Sequence, residues 1–233
     1  MIDDNNFLNG KPVVDVLGLL KAKANSIPPE HFVAEGAGGD GGIQYGASYL
    51  YTRVDEEREA LLMYNDGEPI GNDGFERAHN SYQAATGAIR PVSKYGLGTK
   101  AFGSVSPVRI LFSKSRTNQV WVGFWSMEDE ETAQHPVGWI SKSGLDDAQR
   151  QLLEQAGVLW AWEEFNSVCN SGTGFVMPFR DKEDPLNKVI STHGSYSKFF
   201  AAIKKLFSFR YALHLATAAV PPTIKIEWVG GKG

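Results

Sequence analysis

The segment Lys94 to Val105, KYGLGTKAFGSV, sets Gly96 and Gly98 two residues apart and ahead of Lys100. Without a Cβ, both glycines let the backbone take positive φ and lie flush against a ligand, while Lys100 and free amide groups add positive charge at a helix start. That is the chemistry of a phosphate cradle, and the same residues also suit a flexible turn entering a helix. Two other phosphate motifs do not fit. GLGTKA has the spacing of a dinucleotide fingerprint, but the preceding TGAIRPVSKY contains a proline and little strand character, and no acidic residue ends a suitable strand about 20 positions on. The P-loop pattern G-x-x-x-x-G-K-[ST] cannot be spelled here.

Composition narrows the partners. A chain of 233 residues with 42% hydrophobic content can bury one large core. Its formal net charge of −4 supplies no global basic field to draw it to nucleic acid or to an anionic membrane. Cys169, the single cysteine, has no internal partner, which fits a reducing compartment, and the histidines show no zinc spacing. MIDDNNFLNGK lacks the basic start and apolar core of a signal peptide, and nowhere do about 18 consecutive apolar residues occur, as a membrane span needs. The expectation is a cytoplasmic protein with no membrane segment.

Positioning the glycines falls to the elements around them. Apolar side chains at helical intervals predict a helix over Val13 to Ala24, which Pro28 and Pro29 stop and whose successor they can start. The glycines between Glu35 and Ser48 exclude a stable helix, at about 1 kcal/mol each against alanine. SYLYTRV and EALLMYN, separated by DEERE, read as an antiparallel hairpin. Gly67 to Lys94, with Asn72, Asn80, Ser81 and Gln83, reads as a mobile polar excursion with some helix. PVRILFSK, QVWVGFWSM and HPVGWIS are expected strands, GLDDAQRQLLEQAG a surface helix, and VLWAWEEF and GFVMPF a resumption of the sheet. SYSKFFAAIKKLFSFRYALHLA then reads as a long amphipathic helix and PPTIKIEWV as a last strand. The strand–helix alternation of a doubly wound sheet is missing, so the expected class is α+β, a two-layer α/β sandwich with a mixed, mostly antiparallel sheet and helices on one face. The expected organisation is an N-terminal helical extension (1–28), a main domain (29–220) and a C-terminal strand and exit segment (221–233).

Three segments follow in order: MYNDGEPIG (Met63 to Gly71) after a strand, then KYGLGTKA, then NSGTGFVMPF (Asn170 to Phe179) entering a strand. In this order the chain resembles the GHKL ATPase superfamily, the Bergerat fold of gyrase, heat-shock chaperone, histidine kinase and MutL, from Pro29 to Phe179. The trailing helix and IKIEWVGG look similar to the exit region of Microrchidia-like members. The resemblance implies ATP and Mg2+ as ligands and gives each box a role. Asp66 would accept a hydrogen bond from the adenine amino group, with Gly67 leaving room for the ring. Gly96, Leu97, Gly98, Thr99 and Lys100 form the second box, whose amides meet the phosphates while Lys100 neutralises their charge. Thr173 matches the threonine of the adenine-side network. An ordinary Asn-Asp-Gly hairpin turn is the other reading of Asp66.

Family ATPases also carry Glu-x-x-x-Asn, the glutamate polarising water and the asparagine holding magnesium. In FVAEGAGGDGG, Glu35 takes the catalytic position and Gly39 stands where asparagine belongs; Asp40 beside it is a candidate metal ligand or a solvated loop residue. LLKAKANS offers a second registration, with Asn25 as metal residue and Lys21 in place of the glutamate. One implied function is an ATP-binding module with slow or vestigial hydrolysis, a GHKL-type ATPase whose 67–94 lid closes over nucleotide and signals to a protein partner or through a nucleotide-dependent dimer. Another is a non-hydrolysing regulatory protein on the same fold. A third, from a different class, is a β-rich carbohydrate or peptide binder presenting Trp121, Trp125, Trp139, Trp160 and Trp162, set against the usual burial of tryptophan.

Overall fold

The structure is a computed structural model that describes residues 16–36, 46–72, 101–128, 137–217 and 220–230. Two prolines shape its first segment. Helix α1 (Val16–Ser26) ends before Pro28, and Pro29 opens α2 (Pro29–Ala34), because a missing N–H and a fixed φ suit a first turn but not a helix interior. Residues 13–15 of the expected first helix lie outside the described residues. α2 buries Phe32, Val33 and Ala34, and the Tyr211 hydroxyl donates to the Ala34 carbonyl at 2.6 Å, satisfying an acceptor at the helix end.

Strands β1 (Tyr49–Asp55) and β2 (Ala60–Asn65) form the expected hairpin. Its turn closes at Glu59, φ 48°, and buried Asp55 holds it by accepting from the Arg58 amide at 2.9 Å and guanidinium at 3.0 Å. A short 3-10 turn, η1 (Ala101–Ser104), leads to β3 (Val108–Lys114), β4 (Val120–Ser126) and β5 (Val137–Ser141). After them come α3 (Asp147–Gln155), α4 (Leu159–Val168), β6 (Gly172–Pro178), α5 (Lys188–His193), α6 (Tyr196–Thr217) and β7 (Thr223–Val229). A reciprocal capping box between Asp146 and Gln149 starts α3.

The strands make one seven-stranded sheet in the order β5-β4-β3-β6-β2-β1-β7, antiparallel except for the parallel β1–β7 pair. The mixed, mostly antiparallel α/β sandwich expected from the sequence is the observed fold. Pleating divides its core: Leu61, Met63, Leu111, Trp125 and Phe175 face α1, α2, α5 and α6, whereas Leu62, Ile110, Phe112 and Val176 face α3 and α4. Helical cover thus reaches both faces of the sheet, where the sequence predicts helices on one face.

One element needs correction. VLWAWEEF, read as strand, is largely α4: Val158, Ala161, Trp162 and Phe165 are buried at i, i+3, i+4 and i+7, and the Trp162 and Phe165 rings meet Phe112 of β3. Its aromatic richness suggests a strand, but the spacing presents one helical face to the sheet. α5 has no counterpart in the sequence reading; Asn187 caps it by accepting from the Ile190 amide at 3.0 Å, and Gly194 closes it at φ 77°. Trp121, Trp125 and Trp162 are buried core residues rather than an aromatic binding surface.

Candidate functional site

The sheet face beneath α2 ends in a polar row. There β2, β6 and β3 place Asn65, Thr173 and Ser113 side by side, Asn65 pairing with Thr173 and Thr173 with Ser113. Two residues earlier along β2, the same strands carry Met63, Phe175 and Leu111. All three polar residues are buried. Ser113 Oγ accepts from the Ile70 amide at 3.0 Å, donates to the Gly172 carbonyl at 2.7 Å and lies 3.0 Å from Thr173 Oγ1. Asn65 Oδ1 accepts from the Gly67 amide at 3.1 Å, and the Asn65 amide nitrogen makes no hydrogen bond among the described residues. Gly172 permits the close approach of strands here: at its φ of 140°, a Cβ would stand 1.9 Å from the Asn65 carbonyl oxygen and 3.0 Å from Asp66 Cα.

Asp66, one residue on, turns to other partners. Its carboxylate accepts from the Ser48 amide at 2.8 Å, the Tyr49 amide at 2.7 Å and the Ser48 hydroxyl at 2.5 Å, tying the entry of β1 to the exit of β2. Asp66 also lines a cleft of about 730 Å³ with Lys114, Arg116, Asn118, Asn170 and Ser171. Lys114 donates to Asn166 Oδ1 at 2.7 Å, and burial lowers its ammonium pKa. Burial, reinforced by the charge of Asp66, pushes the nearby Cys169 thiol up to about 12.

Of the residues expected from the sequence, Asp66, Gly67 and Thr173 come together at this end of the sheet. Glu35 lies just past α2 and accepts from Arg210 of α6 at 3.0 Å; its neighbour Gly36 sits over Met63, where a Cβ would be 3.5 Å from the methionine methyl. Asn25, exposed on α1, accepts from Lys188 at 2.9 Å. Gly96, Leu97, Gly98, Thr99, Lys100 and Asp40 lie outside the described residues, as does the expected lid from residue 73 on. Asn72, at its start, accepts from Trp121 Nε1 at 2.8 Å. Sequence reading missed Asn65 and Ser113. The available signal was strand period: steps of two from Leu61 and Met63 reach Asn65, and from Leu62 and Tyr64 reach Asp66.

The candidate magnesium ligands among the described residues are engaged by other groups. Glu35 is bonded to Arg210, Asn25 to Lys188, and Asp66 to Ser48 and Tyr49. Among the described residues no group of three or more His, Cys, Asp or Glu could hold a metal, and no helix is long and apolar enough to cross a membrane.

Comparison with known proteins gives likeness in structure alone. The N-terminal domain of a DNA repair protein matches with a TM-score of 0.54 at 10% identity, over 92% of this chain and 54% of that one. The ATPase region of Saccharomyces cerevisiae topoisomerase II, solved also with ICRF-187 (dexrazoxane), matches with a TM-score of 0.42 at 11% identity, over 93% of this chain and 47% of that one. The chain therefore spans about half the length of these structures. The DNA repair domain shares its fold. No protein-family model and no curated protein sequence matches the chain.

Proposed function

We propose that the chain is an ATP-binding module in which Asn65, Thr173 and Ser113 meet the base and the Gly96 to Lys100 segment receives the phosphates. The observation that carries this reading is the row of three buried polar side chains at the end of this sheet face. A carboxamide offers both an acceptor and donors, the complement of the adenine amino group and an adjacent ring nitrogen. Met63 and Phe175, along the strands from that row, supply an apolar floor. The order of the three sequence boxes supports the same reading. Asp66 serves as a positioning residue: by fastening Ser48 and Tyr49 it fixes the turn that carries Asn65 and Gly67.

Hydrolysis on this reading is slow or vestigial. Glu35 is engaged by Arg210 and must leave that contact before it can act on water. That same contact favours the non-hydrolysing alternative, a regulatory protein on the same fold; on the first reading nucleotide orders the 67–94 segment as a switch read by a protein partner or by dimerisation in the cytoplasm. The nucleotide-binding unit is taken as residues 29–220. Calorimetric titration with ADP and with a non-hydrolysable ATP analogue, each with and without magnesium, tests the proposal. Saturable binding with little dependence on magnesium is expected; no binding of either nucleotide overturns it.

A further inference from the structure

β7 is an edge of the sheet, pairing with β1 and, among the described residues, with no other strand. Its backbone phase follows from two bonds: the Thr223 amide donates to the Ser48 carbonyl at 2.8 Å, and the Val229 carbonyl accepts from the Glu56 amide at 2.8 Å. Thr223, Lys225, Glu227 and Val229 therefore turn their N–H and C=O groups towards β1, whereas Ile224, Ile226 and Trp228 turn theirs to the open edge. The side chains alternate as well. Lys225 and Glu227 share a face with Tyr51, whose hydroxyl donates to Glu227 at 2.5 Å, and the two charges are 2.6 Å apart. On the other face, Ile224 and Ile226 pack partly against the core, and Trp228, 42% exposed, lies 6.3 Å from the ring of Phe200.

The strand Thr-Ile-Lys-Ile-Glu-Trp-Val is complementary to its own reverse about Ile226. We propose that β7 pairs antiparallel with β7 of a second copy of this chain, across a two-fold axis at Ile226, joining two sheets into one. In that register Ile226 faces the partner's Ile226, and Ile224 faces the partner's Trp228. These are the residues with outward backbone groups, so each pair can exchange both of its hydrogen bonds. Lys225 meets the partner's Glu227, and by symmetry Glu227 meets the partner's Lys225, at the positions where cross-strand side chains come closest.

The neighbouring registers fail on one count or the other. A slip that centres the axis on Lys225 sets lysine against lysine, and one that centres it on Glu227 sets glutamate against glutamate. An odd slip brings outward backbone groups against inward ones. Charge on an edge strand commonly guards against pairing, but here the two signs favour the alignment centred on Ile226, and slips that centre on Ile224 or Trp228 overlap less of the strand. A seven-residue strand is a small interface, so association is expected only at about micromolar concentrations or above. This inference does not depend on nucleotide binding.

Sedimentation equilibrium of the full chain over a concentration series tests it. Lys225→Glu gives each cross-strand pair two carboxylates and Glu227→Lys gives each two ammonium groups; either alone should weaken association about tenfold or more. An equimolar mixture of the two variants has opposite charges in every pair of the heterodimer, and should recover wild-type association. Ile226→Pro removes an outward N–H without touching the β1 ladder, so it should weaken association with the circular dichroism spectrum preserved. A wild-type chain that is monomeric throughout, single charge variants that associate normally, or a mixture no stronger than its components overturns the proposal.

Discussion

The two halves of the proposed site are held in different ways. Asn65, Thr173 and Ser113 stand buried on adjoining strands, their spacing set by sheet register and by a shared hydrogen-bond network. Glu35 and Asn25 stand near helix ends, their oxygens bonded to Arg210 and Lys188 at the surface. Register holds a side chain as firmly as the sheet itself, whereas an exposed ion pair contributes about 0–1 kcal/mol and exchanges with solvent. The base-binding half is therefore preorganised. The hydrolytic half must break contacts before it can act, so binding and turnover are separable by mutation.

The largest effect is expected at Gly172, on which the preorganised half depends. Gly172→Ala drives a Cβ into the Asn65 carbonyl at a φ that side-chain-bearing residues rarely adopt, so β2 and β6 must part locally. Urea unfolding should register a loss of about 3 kcal/mol or more. An undiminished midpoint would contradict the close approach of these strands.

Asp66 comes next. Asp66→Ala leaves the Ser48 and Tyr49 amides without their charged acceptor and should lower stability by about 2 kcal/mol in the same assay. A neutral result would mean that these bonds do not hold β1 to the turn, and would return Asp66 to consideration as a direct ligand.

In the hydrolytic half, Arg210→Ala releases Glu35 at little thermodynamic cost, because both side chains are a third or more exposed at 35% and 42%. The stability change should stay within about 0.5 kcal/mol. If Glu35 is the base, phosphate release should rise in Arg210→Ala and fall about 10²–10⁴-fold in Glu35→Ala. Turnover indifferent to both substitutions would remove Glu35 from the mechanism.

The smallest effect concerns Cys169, beneath the cleft on the opposite face. Its pKa in the folded chain is pushed from 9.0 up to about 12, so burial of the neutral thiol stabilises the fold below pH 9 and that contribution is lost as pH rises towards 12. Cys169→Ala should flatten the alkaline decline of Tm. A thiol reagent should label wild type slowly at neutral pH until the chain unfolds, and rapid labelling of folded protein would contradict the burial.

The parts of the molecule legible in the sequence are those governed by local period. Short runs rich in strand-forming residues marked β1 to β7, and the prolines marked the junction of α1 and α2. α4 was obscured because its tryptophans and phenylalanine favour strands in general, which outweighed the helical spacing of Val158, Ala161, Trp162 and Phe165. The boxes pointed to the turn after β2, and matching residues by position does not register the pleat that puts Asn65 and Asp66 on opposite faces. The Glu35–Arg210 and Asn25–Lys188 contacts join residues 175 and 163 positions apart, and no local pattern announces them.

Neighbours in the chain with opposite assignments offer the most direct test. Titration of ADP into wild type, Asn65→Ala and Asp66→Asn, each checked for native circular dichroism, compares a residue proposed to touch the base with one proposed to position it. Asn65→Ala should lose about tenfold in affinity or more, the worth of roughly 1.4 kcal/mol, and Asp66→Asn markedly less. Wild-type affinity in Asn65→Ala, or a greater loss in Asp66→Asn at unchanged stability, would contradict the account.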